Sequence, residues 1–266
     1  MRELFRGTWA LVTGASSGIG EELARQLARR GANLIITARS RDRLEALAAE
    51  LRERERLRVE VVVADLATSG GVERLRREVD ALDVFVEHLI NNAGFGLAGG
   101  FAASDVRVDL DMVRLNCEAP MVLARHFAPS MAAQRRGGIL NVASTAAHQP
   151  MPYMAVYGAT KAFLLSWSVA LGEELRSRGV RVCALCPGPV PTRFQEVAGT
   201  ALGFQSIAAL SAEETARRGL EGYERGREVV VTGAVNTVQT LTSKMLPRAV
   251  VTRSLGFAMK RMGRND

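Results

Sequence analysis

Tyr157 and Lys161 stand four residues apart, and Ser144 precedes the tyrosine by thirteen. On a helix, residues i and i+4 share one face, so the phenol and the ammonium address a common pocket. An unperturbed phenol titrates at about 10 and is a poor proton donor or acceptor partner at neutral pH. An adjacent ammonium stabilises the phenolate and lowers that pKa. The hydroxyl of Ser144 suits a hydrogen bond to a substrate carbonyl. Taken singly, Tyr-x-x-x-Lys also describes an ordinary helix face, so its meaning rests on its surroundings.

The second chemical feature is a glycine turn. Thr13-Gly14-Ala15-Ser16-Ser17-Gly18-Ile19-Gly20 follows a short apolar run and opens an amphipathic one. Glycines in such a turn admit positive φ and let the backbone approach a pyrophosphate closely. The free N–H groups and dipole at the start of the helix then face the phosphates. The spacing Gly-x-x-x-Gly-x-Gly differs from the general Gly-x-Gly-x-x-Gly fingerprint, and a tight turn without a ligand shares its look. The next strand bears on which nucleotide binds. It ends in Ala38 with no acid to hold a ribose diol, and Arg39 follows, a residue suited to a 2′-phosphate. Arg39, Arg41 and Arg43 can also be read as a solvated helix start. A cation at a helix N-terminus opposes the dipole, however, which favours a local anion. NADP is therefore expected over NAD.

With Asn91-Asn92-Ala93-Gly94, Asn116 and Pro187-Gly188 added in the same order and spacing, the chain resembles the short-chain dehydrogenase/reductase family over residues 7–235. The resemblance implies a single-domain Rossmann fold and hydride transfer between NAD(P) and a carbonyl or alcohol. It implies that Tyr157 is the acid/base, that Lys161 tunes it and binds the nicotinamide ribose, that Ser144 orients the carbonyl, and that Asn116 holds a water in a proton relay. It places Asp65 and Leu66 beside the adenine and Asn92, Ala93 and Gly94 along the cofactor. Pro187, Gly188 and Thr192 fall at the nicotinamide end. Ser16 and Arg39 match positions that favour NADP, and Gly14, Ser17, Gly18, Ile19 and Gly20 complete the phosphate turn. A homodimer or homotetramer, formed through the helices carrying Asn116 and Tyr157, is also implied.

These residues need a scaffold, and the hydrophobic pattern supplies one. Trp9–Val12, Asn33–Thr37, Val59–Ala64, His88–Ile90, Gly138–Val142, Val180–Leu185 and Glu228–Thr232 read as strands. Helices are expected over Gly18–Arg30, Arg41–Arg56, Gly71–Ala81, Val106–Phe127 and Tyr157–Arg176. The strands are continuous Val/Ile/Leu runs rather than alternating ones, as strands buried on both faces are. Repeated strand–helix units predict an α/β, Rossmann-like, doubly wound parallel sheet of about seven strands. Residues 1–243 would form the catalytic domain and residues 244–266 a tail.

The chain has 266 residues, 47% of them hydrophobic, enough for one sizeable core and too many for disorder. Three cysteines exclude a disulfide scaffold. No apolar run is long enough to span a bilayer, and the N-terminal apolar stretch is too short for a signal-peptide core. A cytoplasmic protein is the expectation. The net charge of +7 invites a nucleic-acid reading, but residues 244–266 carry six basic side chains against Asp266 alone. The rest is nearly balanced, and no basic groove interleaved with aromatics is visible. No nucleic-acid partner is expected.

Other features read as structural. Cys183 and Cys186 lie three apart on a strand, hence on opposite faces, and read as buried thiols, as does Cys117. His88, His126 and His148 show no metal-ligand spacing, and no metal is expected. His148 is a candidate lining for the substrate pocket. Two apolar segments would cover the pocket mouth: Ala147–Met154 and Pro189–Leu210, the latter with Phe194, Val197, Leu202, Phe204 and Ile207. They suit a lipophilic carbonyl or alcohol, or simply pack a lid onto the body. In the tail, Pro247 can start a helix with Val251, Leu255, Ala258, Met259 and Met262 on one stripe. Arg253, Lys260, Arg261 and Arg264 fall on the other side. Such a helix docks on its own body or a second subunit, or makes peripheral contact with an anionic membrane. The competing functional expectation is a non-catalytic dinucleotide-binding protein that senses redox state or recruits partners. The intact Asn116, Ser144, Tyr157 and Lys161 count against it.

Overall fold

The computed structural model describes residues 4–198 and 209–261. Its order is β1 (Trp9–Thr13), α1 (Gly18–Arg29), β2 (Asn33–Ala38), α2 (Arg41–Glu55), β3 (Val59–Val63), α3 (Ser69–Asp80) and β4 (Val86–Asn91). There follow α4 (Val106–Val113), α5 (Ala119–Gln134), β5 (Gly138–Val142), α6 (Ala155–Arg176) and β6 (Arg181–Cys186). The chain continues with α7 (Arg193–Ala198), α8 (Ala212–Glu224), β7 (Val229–Val231), α9 (Ala234–Met245) and α10 (Arg248–Arg261). The expected strands are all present, with ends moved by one or two residues. Helices α7, α8 and α9 were not anticipated.

The seven strands pair in parallel in the order β3-β2-β1-β4-β5-β6-β7. Burial on both faces explains their uniformly apolar character. One face packs against Leu23 and Leu27 of α1, Leu44 and Leu51 of α2, and Leu220 and Tyr223 of α8. The other meets Leu75 and Val79 of α3 and Leu123, Phe127 and Met131 of α5. Cys183 belongs to the first core and Cys186 to a separate cluster with Ala143 and Leu164, so the two thiols do point apart. Cys117, expected in the core, is only half-buried. Among the described residues no helix is long and apolar enough to cross a membrane.

Strand order reverses between β1 and β4, since the chain first builds outward to β3 and then returns. Ligands of open parallel sheets bind at such a switch point, beyond the carboxyl ends of the strands. Here that places the turn after β1 next to the loop after β4.

The tail is folded onto the body. Val251 and Met259 are buried and Leu255 is half-buried, whereas Ala258, assigned from spacing to the same stripe, faces solvent. Ala258 lies one position before Met259 and so is rotated out of the contact. Met262 and Arg264 lie outside the described residues. The 243/244 boundary falls within α9, two residues before its end.

Candidate active site

The glycine turn is stapled from both sides. Gly14 N and Ala15 N donate to Thr37 O on β2 at 2.8 and 3.2 Å. From the β4 side, the N–H groups of Asn92 and Ala93 both donate to Thr13 Oγ1 at 3.0 Å, and Asn92 Nδ2 donates to Thr13 O at 2.9 Å. Gly14 has φ of +67°, and a Cβ there would lie 2.8 Å from Asn92 Nδ2 and 2.9 Å from Ala93 Cα. A Cβ on Gly20 would lie 2.4 Å from Gly14 O. These close backbone approaches are why the turn needs glycine.

Ser17 is the N-cap of α1 but its side chain makes no capping hydrogen bond, so the first N–H groups of the helix have no side-chain partner. That arrangement, with Ser16, Ser17, Gly18 and Ile19 lining the turn, fits a phosphate. Arg39 is exposed at the end of β2 and makes no ion pair among the described residues, unlike Arg41, which lies 3.7 Å from Glu45. Asp65 and Leu66 follow β3. The carboxylate of Asp65 accepts from Ala67 N at 3.1 Å, and Leu66 is buried in the core. Thr192 closes over the turn, its Cγ2 3.0 Å from where a Gly18 Cβ would stand. Pro187 O accepts from Thr145 N at 2.8 Å, which ties the loop after β6 to the Ser144 turn. Gly188 packs against Asn236 of α9, a buried residue that the sequence reading did not single out.

The four candidate catalytic side chains converge beside this cleft. Ser144 lies two residues beyond β5 and caps the short turn Thr145–His148, where its Oγ accepts from Ala146 N at 3.1 Å. His148, expected as a pocket lining, is half-buried at the end of that turn. Tyr157 and Lys161 lie one turn apart on α6, both buried. Lys161 Nζ donates to Val142 O at 2.8 Å and stands 5.9 Å from the centre of the Tyr157 ring. Asn116 sits in a π-helical turn, Arg114–Glu118, between α4 and α5. Its Nδ2 donates to Phe95 O at 2.9 Å and to Thr160 Oγ1 at 3.0 Å, and its Oδ1 accepts from Phe95 N at 3.1 Å. Both amide protons are thus committed to the protein. Thr160 Oγ1 in turn donates to Tyr157 O at 2.8 Å.

The electrostatics depart from the expectation of a depressed phenol. Burial pushes Tyr157 up to about 12, against the opposing hydrogen bond with Ser144. Burial also draws Lys161 down to about 8. Desolvation is the largest cause of both shifts, because both side chains are taken out of water. Burial thus favours the neutral form of the phenol.

Expected lid and tail residues complete the rim, joined by Met112, which was not anticipated. Met112 joins Met154 and Tyr157 in an apolar cluster, and so does Met259 of α10. Phe194 lies 5.5 Å from Tyr157 between ring centres. A shallow groove alongside is lined by Leu97, Phe101, Tyr153, Met154 and Val156 together with the polar Ser104 and Asp109. Of the expected lid residues, Leu202, Phe204 and Ile207 lie outside the described residues, as does the side chain of Val197. No group of three or more His, Cys, Asp or Glu side chains among the described residues could hold a metal. His88 is buried instead against Tyr223 Oη at 2.9 Å, and His126 pairs with Asp80.

The family model for short chain dehydrogenases matches residues 8–202. A very-long-chain 3-oxoacyl-CoA reductase of Phaeosphaeria nodorum is 39% identical over 183 residues, 66% of this chain and 53% of that protein. The chain spans between about half and three fifths of the length of the curated relatives it matches. Among solved structures, a short-chain dehydrogenase from Sphingobium yanoikuyae in complex with NADPH is 32% identical with a TM-score of 0.81, covering 90% of this chain and 93% of that one. A bulky-bulky ketone specific alcohol dehydrogenase from Comamonas testosteroni is also 32% identical, with a TM-score of 0.77 over 90% and 92% of the two chains. With the family model matched over most of the chain and a solved relative matched over nine tenths of it, this chain is a member of the short-chain dehydrogenase family.

Proposed function

We propose that the protein is an NADP(H)-dependent oxidoreductase that reduces a lipophilic carbonyl compound, with 3-oxoacyl thioesters the first class to test. The observation that carries this reading is the convergence of Ser144, Tyr157 and Lys161 beside the uncapped start of α1. The turn Gly14–Gly20 with Ser16 and Ser17 would hold the pyrophosphate. Asn92, Ala93, Gly94, Asp65 and Leu66 would line the adenosine side, and Pro187, Gly188, Thr192 and Lys161 the nicotinamide side. Arg39, which makes no ion pair among the described residues, supports a 2′-phosphate and hence NADP, as does the NADPH held by the Sphingobium relative. The reduced nicotinamide, when bound, supplies a hydride to the carbonyl carbon.

The chain's own part is proton handling. The Ser144 hydroxyl accepts from Ala146 N and keeps its proton to donate to the substrate carbonyl oxygen. Tyr157 donates to the same oxygen as the carbon–oxygen π bond becomes an alkoxide lone pair, leaving an alcohol and a tyrosinate. Lys161, held by Val142 O, stabilises that tyrosinate until a proton returns. The apolar cluster of Met112, Met154 and Met259 around Tyr157 supports a lipophilic substrate, as does the similarity to acyl-CoA reductases. A homo-oligomer belongs to the same reading: Val106, Leu110, Val113, Met121 and Phe163 are exposed apolar residues on α4 to α6 and the turn between them.

The test is turnover on lipophilic ketones and 3-oxoacyl thioesters with NADPH and with NADH. Tyr157→Phe should lower turnover by about a hundredfold or more while NADPH binding persists. Unchanged turnover in that variant, or no NADPH binding by the parent, would overturn the reading.

A further inference from the structure

Helix α9 is amphipathic in the wrong sense for a helix that only packs on its own body. Its inward residues are polar: Asn236 and Thr240 are buried and Ser243 is half-buried. Its outward side carries Val235, Val238, Leu241 and Met245, which are 54%, 63%, 58% and 86% exposed. At 100° per residue the two sets lie on opposite sides of the helix. Nor do its hydroxyls depend on water. Thr237, Thr240, Thr242 and Ser243 all donate to carbonyls of the same helix or its cap, at 2.8 to 3.0 Å. A helix whose hydroxyls are satisfied internally, and whose solvent side sets four large apolar side chains among Thr237, Gln239 and Thr242, is suited to the boundary of an apolar phase.

Helix α10 continues this surface with charge. Val251, Leu255 and Met259 turn inward, and Met259 reaches the cluster containing Tyr157, so the helix is pinned at the rim of the active site. The opposite side presents Val250, Arg253, Phe257, Lys260 and Arg261, with Arg261 stacked over Phe257 at 4.6 Å. Arg248 is exposed at the start of the helix. Several surface cations elsewhere pair with acids one turn away, as in Arg74–Glu78 and Arg217–Glu221. No acidic residue occurs between 229 and 265, and among the described residues Arg248, Arg253, Lys260 and Arg261 form no ion pair. These charges have no counterpart within the described protein.

We infer that the outward faces of α9 and α10 form a docking surface for an anionic lipid bilayer, with the aliphatic side chains of α9 in the headgroup–acyl boundary and the cations of α10 on lipid phosphates and carboxylates. Charge complementarity selects this occupant. A second copy docked through the same face about a two-fold axis would set these cations against themselves, which disfavours a dimer there. A bilayer takes both the apolar and the basic residues at once. The surface is built from exposed residues only, so it stands whether or not the substrate is an acyl thioester.

The experiment is sedimentation of the full chain with phosphatidylcholine vesicles, with and without about 30% phosphatidylserine. Retention by the anionic vesicles should exceed that by neutral ones at least about tenfold, and should fall as salt rises. Two variants separate the contributions: Val238→Asp with Leu241→Asp, and Arg248, Arg253, Lys260 and Arg261 all changed to Gln. Each should lose anionic-vesicle retention while NADPH binding, which reports the folded site, is kept. Equal retention on both vesicle types, or full retention by both variants, would overturn the inference. So would a parent dimer that Val238→Asp/Leu241→Asp converts to monomer in the absence of vesicle binding, which would assign the face to a second copy.

Discussion

Asn116 and Thr160 are joined side chain to side chain at 3.0 Å, although they lie on different helices. The bond is one link in a chain, because the Thr160 hydroxyl in turn donates a hydrogen bond to the backbone carbonyl of Tyr157. The π turn around Asn116 and the α6 backbone that carries the phenol are therefore held in one register.

Thr160 is on this geometry a positioning residue. Thr160→Val should lower kcat about tenfold, with KM and the Kd for NADPH nearly unchanged, because the phenol is displaced rather than removed. Thr160→Ser, which keeps both hydrogen bonds, should restore kcat. Steady-state kinetics beside cofactor titration checks this, and an effect on NADPH affinity alone would contradict it.

The pH profile should identify Lys161. Burial draws its pKa down to about 8 and pushes Tyr157 up to about 12, so the ammonium is lost first as pH rises. Reductive kcat should therefore decline through pH 8, when the tyrosinate formed in turnover loses its counter-charge. A decline only above about pH 10 would point to the phenol instead.

Arg39 should govern the choice of dinucleotide. It is exposed and makes no ion pair among the described residues, so Arg39→Ala costs the fold little. Loss of a charge-assisted contact should raise the Kd for NADPH about tenfold to a hundredfold and leave that for NADH within about twofold. Equal losses for both cofactors would remove Arg39 from the 2′-phosphate site.

Acid stability should depend on His88. Burial lowers its pKa from the ordinary 6.5 to about 4, so between those values the unfolded chain binds a proton that the folded chain does not. Stability falls as pH drops through that window, by about 3 kcal/mol in all if His88 acts alone. Urea unfolding of His88→Gln, whose amide does not titrate, should show a flatter dependence between pH 6.5 and 4.

Much of the cofactor side was legible in the sequence because it is local. A turn such as Gly14–Gly20 carries its conformational demand in the residues themselves, and parallel strands announce burial on both faces through unbroken runs like Leu34–Ile36. The spacing of Tyr157 and Lys161 set their common face before any packing was known.

Packing decided the rest. The pKa order of Tyr157 and Lys161 reversed the expectation for the phenol, since desolvation depends on how deeply α6 is covered and not on spacing. The link from Asn116 to Thr160, the seating of Asn236 against Gly188, and the arrival of Met259 beside Tyr157 join residues far apart in the chain. The tail shows the division most plainly. Periodicity alone found an apolar stripe on the last helix, but only docking on the body showed that Val251 and Met259 are consumed there and Ala258 is not. The same docking turned the unremarked α9 outward with its aliphatic side in solvent. Local sequence determines which faces a helix has; tertiary contacts determine which of them is left over.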